Sequence, residues 1–375
     1  MVFLLDIPRE LSLQIVRLLD LGDKVNLSAI FKRYRAQLFP DIFNTIRFTP
    51  NETSATSALI AVQAYGQLKF DFGLDSVRDE VSVNFGDVED ANVIGAKELQ
   101  HKWRALMKET WEALAINTSV RELILDELPP KWTSAYYTDP FRQLLGQLES
   151  ATFNFFGFED YDGCRTSTAL GCNNFLRNLD ALFFRYMTGL KHLNIRAFDL
   201  LGLDNDLPDI PLALKPEDLP LLQSLKLEDY VISPELVSFI RGHTQILASL
   251  NINECSSMID TPSYVESLSW AEFFDQVYEA KPRLTELVAG GSKASFLQEN
   301  QLDEWLGDDI ENMLQRMKTD PTFILFRYIF VDGDCGTPFV YEGLNVERYY
   351  DGSDQRAYDR LMGLVEENRA CLGRV

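Results

Sequence analysis

A chain of 375 residues is longer than one hydrophobic core usually serves, and a hydrophobic share of 46% is ordinary for a folded protein, so several structural units are expected and wholesale disorder is excluded. The net charge of −22 argues against a nucleic-acid binder, which needs a basic patch for phosphates, and against an anionic membrane surface. The charge is uneven: residues 1–48 hold seven Lys/Arg against five Asp/Glu, and the remainder twenty-eight against fifty-two. Five Cys, an odd number with no C-x-x-C, fit a reducing compartment. The start "MVFLLDIPREL" does not read as a signal peptide, and no stretch has the length of a membrane span, so a cytoplasmic or nuclear location is expected.

The N-terminal segment reads as three short helices. Asp6 is placed to cap the first and Pro8 falls in its first turn, where a proline is tolerated. Leu11, Ile15, Leu18 and Leu19 follow at helical spacing, and Gly22 ends the helix. Asp23 can cap a second helix carrying Val25, Leu27, Ile30, Phe31 and Tyr34, which stops at "FP" (39–40). A third segment runs from Ile42 to Phe48 into the polar stretch "TPNETSAT". So small a unit cannot bury all these apolar residues by itself, and surplus apolar surface on a small module marks an interaction site.

"DIPRELSLQIVRLLDLGDKVNLSAIFKRYRAQLFP" resembles an F-box, over roughly residues 4–48. The residues that carry the resemblance are Ile7, Pro8, Glu10, Leu11, Ile15, Leu18, Leu19, Asp23, Leu27, Ile30, Lys32, Tyr34 and Arg35. Ile7 stands where Leu is commoner, Val25 replaces the usual Leu, and Phe31 takes a place usually held by Ser or Cys. The resemblance implies docking to a Skp-type adaptor and, through it, to a cullin–RING ubiquitin ligase of the SCF type. Ile7, Pro8, Leu11, Ile15, Leu18, Leu27, Ile30 and Tyr34 are then expected to face the adaptor or to position the residues that do.

Residues 49–98 read as a linker and an acidic, Gly-punctuated bridging region. The body, 99–299, repeats one pattern, apolar-x-x-apolar-x-apolar: "VRELIL" (120–125), "LESATF" (148–153), "LKHLNI" (190–195), "LQSLKL" (222–227), "LASLNI" (247–252) and "LTELVA" (284–289). The starts lie 28, 42, 32, 25 and 37 residues apart, and helix-like text precedes five of the six. The last two apolar residues of each motif are two apart, so both face inward from a short strand. The pattern looks like an irregular leucine-rich-repeat solenoid, in which stacked units share one core. An ordinary α/β domain with several buried strands would give similar local text.

Under the repeat reading, the residues between the inward ones form a polar strip: Glu122, Ile124, Asp126; Ser150, Thr152, Asn154; His192, Asn194, Arg196; Ser224, Lys226, Glu228; Ser249, Asn251, Asn253; Glu286, Val288. Such a strip suits protein recognition better than an apolar ligand pocket. Its substrate-facing candidates are Glu122, Asp126, His192, Asn194, Arg196, Lys226, Glu228, Asn251 and Asn253. Residues 300–375 read as a C-terminal cap: a helix in "QLDEWLGDDIENMLQRMK", a β-hairpin around Asp332–Gly333, and a last helix from Asp354 to Arg369.

Sites for chemistry are weak. His101, His192 and His243 are far apart in sequence, "VDGDCGTPFVYEG" departs from a calcium loop, and "AGGSK" lacks phosphate-loop spacing. No cofactor, metal or catalytic residue is expected. The expected fold is α/β: a three-helix F-box, an irregular leucine-rich-repeat-like solenoid and an α+β cap. The expected function is substrate recognition for a ubiquitin ligase, the partners being the Skp-type adaptor and an unknown protein substrate. An F-box scaffold acting outside ubiquitin ligation is the alternative.

Overall fold

The computed structural model describes residues 45–47, 67–71, 90–116, 120–157, 170–201, 214–258, 268–290, 307–320, 322–331 and 338–372. The fold is mixed α/β. In chain order it comprises β1 (Thr45–Arg47), β2 (Gln67–Asp71), α1 (Ala91–Gln100), α2 (Lys102–Ala115), β3 (Glu122–Leu128), α3 (Asp139–Gly146), β4 (Ser150–Phe155), α4 (Leu170–Arg177), α5 (Leu179–Leu182), β5 (His192–Leu201), β6 (Ser224–Tyr230), α6 (Pro234–Gly242), β7 (Ser249–Asn253), β8 (Ser256–Met258), α7 (Trp270–Glu279), β9 (Glu286–Gly290), α8 (Gly307–Thr319), β10 (Arg327–Val331), β11 (Pro338–Val340), α9 (Glu342–Asp351) and α10 (Ser353–Leu372). Eight strands form one parallel sheet in the order β1-β2-β3-β4-β5-β6-β7-β9, so neighbours in the chain are neighbours in space. A second sheet has the order β11-β10-β8.

Each apolar motif places its strand in the same way. All six strands begin at the third motif residue: Glu122, Ser150, His192, Ser224, Ser249 and Glu286. The first apolar position (Val120, Leu148, Leu190, Leu222, Leu247, Leu284) is fully buried in every motif. The second, Leu123–Ala151–Leu193–Leu225–Leu250–Leu287, is one register row across the sheet. The third, Leu125, Phe153, Ile195, Leu227, Ile252 and Ala289, is buried as well. One backbone bond pattern also recurs. The carbonyl of the second motif residue accepts the N–H groups of the second and third residues of the next motif: Arg121 to Glu149 and Ser150, Glu149 to Lys191 and His192, Lys191 to Gln223 and Ser224, Gln223 to Ala248 and Ser249, and Ala248 to Thr285 and Glu286, at 2.7–3.1 Å. The 25-to-42-residue variation in spacing is therefore absorbed by the connections and not by the register.

The helices start where capping chemistry dictates. Thr138 caps α3, its hydroxyl accepting from Phe141 N, with Pro140 in the first turn. Ser233 does the same for α6 before Pro234, and Ser269 with Glu272 makes a reciprocal capping box on α7. Helix text over 97–117 divides at His101, whose extended backbone (φ −109°, ψ 117°) separates α1 from α2. Apolar faces of these helices close over the buried rows of the sheet. Trp111 of α2, Tyr136, Phe141 of α3, Phe153 of β4 and Phe183 form an aromatic cluster with centroids 5.1–6.5 Å apart, edge-to-face except for the tilted Tyr136–Phe141 pair.

The C-terminal segment packs on the last of these units. The helix and hairpin expected there are α8, α10 and the antiparallel pair β10–β11; the Asp332–Gly333 turn lies outside the described residues. Two features differ from the expectation. The hairpin pairs in parallel with β8, through Arg327↔Ser256 and Ile329↔Met258, and α9 stands between it and the last helix. Tyr328 joins the parts: its hydroxyl donates to the Asp354 carboxylate (2.8 and 3.0 Å) and accepts from Trp270 N (3.1 Å). Asp354 also accepts from Ala271 N at 2.9 Å. Two of the N–H groups that α7 cannot satisfy within itself are thus met by side chains more than fifty residues away.

Two further strands, β1 and β2, precede the first expected one. The strand at Thr45–Arg47 stands where the third F-box helix, Ile42 to Phe48, is expected, and β2 lies in the expected bridging region; both extend the same parallel sheet, whose edge at β3 gives them backbone partners that a lone short helix would lack. The remainder of 1–48, including Ile7, Pro8, Leu11, Ile15, Leu18, Leu27, Ile30 and Tyr34, lies outside the described residues.

Candidate functional site

The strand period of two sends alternate residues to the face opposite the helices. On β3, Leu123 and Leu125 are buried while Glu122, Ile124 and Asp126 are part-exposed, and β4, β5, β6 and β7 alternate in the same sense. The substrate-facing candidates consequently fall into rows. Glu122, Ser150, His192, Ser224, Ser249 and Glu286 make the first; Ile124, Thr152, Asn194, Lys226, Asn251 and Val288 the second. Asn154, Arg196 and Glu228 are aligned in a third. Asn253 pairs with Gly290 at the far side. Asp126, two residues beyond Ile124 on β3, pairs with Asp71 of β2, so the nine candidates share one continuous face.

The polar groups of that face are partly tied to each other. Glu228 receives both Arg196 (Nε at 3.5 Å) and Lys226 (Nζ at 2.5 Å). Ser249 donates to Glu286 at 2.8 Å, and Asn251 accepts from Asn253 N at 3.0 Å. The Asn194 side-chain oxygen is shielded from solvent and accepts no hydrogen bond. Below the first row, the ammonium of Lys191 lies 2.7 Å from Glu149 and holds that carboxyl below its ordinary range.

At the C-terminal ends of β6 and β7 the face meets the second sheet. Asp229 and Glu254 both have φ near +60°, as does Glu127 at the matching place on β3, so three acidic residues occupy a conformation that non-glycine residues rarely adopt. Burial raises the Asp229 carboxyl above its ordinary pKa, against the nearby guanidinium groups of Arg327 and Arg196. Arg327 clamps the junction, donating from Nε to Ser256 Oγ (2.5 Å) and from Nη2 to the Glu254 carbonyl (2.8 Å). Between them, Cys255 is buried, donates to the Leu227 carbonyl at 3.4 Å, and is pushed well above the usual thiol range by burial. A thiol held protonated in this way is a packing group and a poor nucleophile.

Arg327 is not among the face residues expected from the sequence. It comes from the cap, 73 residues beyond the Glu254 carbonyl it binds, and no local pattern announces it. Among the described residues no group of three or more His, Cys, Asp or Glu could hold a metal ion, and no helix is long and apolar enough to cross a membrane. What the face offers is a rigid array of hydroxyl, amide, guanidinium and carboxylate groups at strand spacing, suited to hydrogen bonding and charge recognition. Comparison with protein-family models, curated proteins and solved structures finds no match.

Proposed function

We propose that the protein is a substrate-recognition subunit of an SCF-type ubiquitin ligase. The F-box-like residues ahead of β1 dock on a Skp-type adaptor, and the polar sheet face holds the target protein near the ubiquitin-transfer machinery. The reading of the body as an irregular leucine-rich-repeat solenoid goes with this. Its main support is the recurrent second-position carbonyl, which bonds the next motif in the same way five times despite unequal spacing. The F-box side rests on the sequence resemblance. No catalytic group is assigned to the chain; its contribution is proximity, which raises the effective concentration of the target at the transfer site.

The test replaces Leu11 and Ile15 together by Asp. Losing interface anchors costs roughly 2–4 kcal/mol each, about 30- to 1,000-fold in affinity apiece. The expected result is loss of adaptor co-purification with the thermal transition of the body unchanged, and loss of ubiquitin transfer to bound protein in a reconstituted assembly. Undiminished co-purification overturns the docking assignment.

A further inference from the structure

Just ahead of β6 the described residues 214–223 contain no helix, and a turn covers the sheet there. Within it Asp218 N–H donates to the Lys215 carbonyl and Leu222 N–H to that of Leu219, each at 3.0 Å. Leu219 is fully buried with φ +56°, a conformation that a residue with a Cβ rarely adopts. The C-terminal end of α6 lies directly on this turn: a Cβ at Gly242 would stand 2.8 Å from that of Pro216. The next residue, His243, is 2% exposed and closes the helix. Its Nδ1 lies 2.8 Å from the Phe239 carbonyl oxygen, and its Nε2 lies 2.9 Å from that of Asp218 and 3.2 Å from that of Leu219. Carbonyl oxygens only accept, and a neutral imidazole carries a single N–H. In that form one ring nitrogen would turn its lone pair on a carbonyl oxygen away from water, leaving both unsatisfied. Only the imidazolium donates on both sides.

The surroundings favour the same form. Phe239 lies in the last turn of α6, whose carbonyls have no partner within the helix and make its negative end. The Phe239 ring stacks on the imidazole with centroids 4.1 Å apart, the place for a cation over an aromatic face. About the turn stand three carboxyl groups, Asp180, Glu217 and Asp218, against two cations, Lys215 and Arg185. On α6 itself Glu235 is in the first turn and Arg241 is exposed at the end. From α7, which packs beside α6, Asp275 is tied to Arg360 and Glu279 is exposed. We propose that His243 is an imidazolium in the folded chain and that its second proton latches residues 215–222 to α6, so that this unit of the body loosens as pH rises. With the proton on, the helix carbonyl and the turn carbonyls each accept a bond. With it off, the proton passes to solvent and one side of the ring faces a lone pair. The latch is therefore closed at acid pH and open at alkaline pH. The turn runs directly into β6, the strand that carries Lys226 and Glu228 of the polar face, so opening frees that strand first. The latch is independent of what the face binds.

The full chain labelled with ¹⁵N-histidine tests the proposal by imidazole nitrogen spectra from about pH 5 to 9, the range in which histidine changes charge. His101→Gln and His192→Gln identify the His243 signals by elimination, so the assignment needs no change at the latch itself. At the acid end both His243 nitrogens are expected to be protonated. Amide hydrogen exchange is followed over the same range. Protection of residues 215–227, taken relative to that of β3 and β4, should fall about tenfold as the ring loses its second proton, the loss expected for a hydrogen bond from a charged group. In His243→Gln, which does not titrate, the same protection should be low and independent of pH, and a melting curve reports that the fold is kept. Burial raises the Asp218 carboxyl above its ordinary range, so Asp218→Asn separates the two groups and should keep the pH dependence. A single N–H on His243 at the acid end overturns the proposal. So does protection that is constant across the range, that still varies in His243→Gln, or that stops varying in Asp218→Asn. Adaptor binding and ubiquitin transfer take no part in these measurements, so failure of the ligase reading leaves the latch standing and failure of the latch leaves that reading untouched.

Discussion

The strand-and-helix body and the C-terminal segment share one apolar core but differ in what is added to it. In the body, three apolar positions recur in every motif, all are buried, and each row touches the next motif's equivalent row. The stabilisation is spread over many similar contacts. Behind α7 the C-terminal segment shares the same apolar core through Phe326, Ala357, Leu361 and Val365, and adds a set of specific polar anchors: Tyr328, Asp354, Asn345 and the indole N–H of Trp270, which donates to the Arg327 carbonyl at 3.0 Å. At the last strand, Asn368 donates to the Pro282 and Leu284 carbonyls (2.9 Å each), and Arg369 donates to that of Thr285. Repetition supplies its own partners; the end of an array has no next unit, so dissimilar groups must satisfy it.

The sharpest way to break this contrast is at the joint. Trp270 is fully buried, packs 5.4 Å from Phe274 and 5.3 Å from Phe326, and serves both parts. Trp270→Ala should cost about 3–5 kcal/mol, and limited proteolysis should then cut the C-terminal segment before the sheet. Simultaneous loss of both parts would show that they are one cooperative unit. Next in size, Leu225→Ala in the middle row should cost about 2–4 kcal/mol. Hydrogen exchange should rise in β5, β6 and β7 and stay low around Tyr328. A rise confined to β6 would mean that the rows do not share their stabilisation.

The smallest effect sharpens the comparison through pH. Burial raises the Asp354 carboxyl above its ordinary range, outweighing its bonds from Tyr328 and Ala271 and the charge of Arg348. The folded chain therefore binds this proton more tightly than the unfolded chain. Its contribution is greatest below the ordinary aspartate pKa of about 3.9 and is lost as pH rises through the folded value. Asp354→Asn removes the titration, so wild type should lose stability relative to the variant as pH climbs from that point. Melting curves of both proteins from about pH 3 to 7 read the difference directly. Parallel curves would show that the Tyr328–Asp354 pair carries no such linkage.

Much of the body was legible because its logic is local. An apolar-x-x-apolar-x-apolar motif carries its own strand, and Thr138, Ser233 and Ser269 mark helix starts within a few residues of the capped N–H. The face residues followed from the same period of two. What could not be read is non-local. β8 is three residues long, Ser-Ser-Met, with no alternation, and it is a strand only because β10 arrives from 71 residues away. The division at His101 is a backbone conformation that the helical periodicity on either side conceals. Arg327 and Asp354 look like ordinary surface charges in sequence, and only tertiary packing makes one a clamp and the other a buried acid.

The chain-order pairing of the parallel strands bears on how the protein can be assembled. From β2 to β7, every strand adds to an edge formed by residues already behind it in the chain. The sheet can therefore lengthen step by step as the polypeptide leaves the ribosome, without waiting for a distant partner. The interval of risk falls at the finish. Once β9 has joined, the α7 N-terminus and the Leu284–Thr285 carbonyls stay open until Tyr328, Asp354, Asn368 and Arg369 have been made. A chain that has emerged through residue 290 but not yet through residue 327 displays a nearly finished sheet with a bare end, the species most exposed to mispairing with a neighbouring chain.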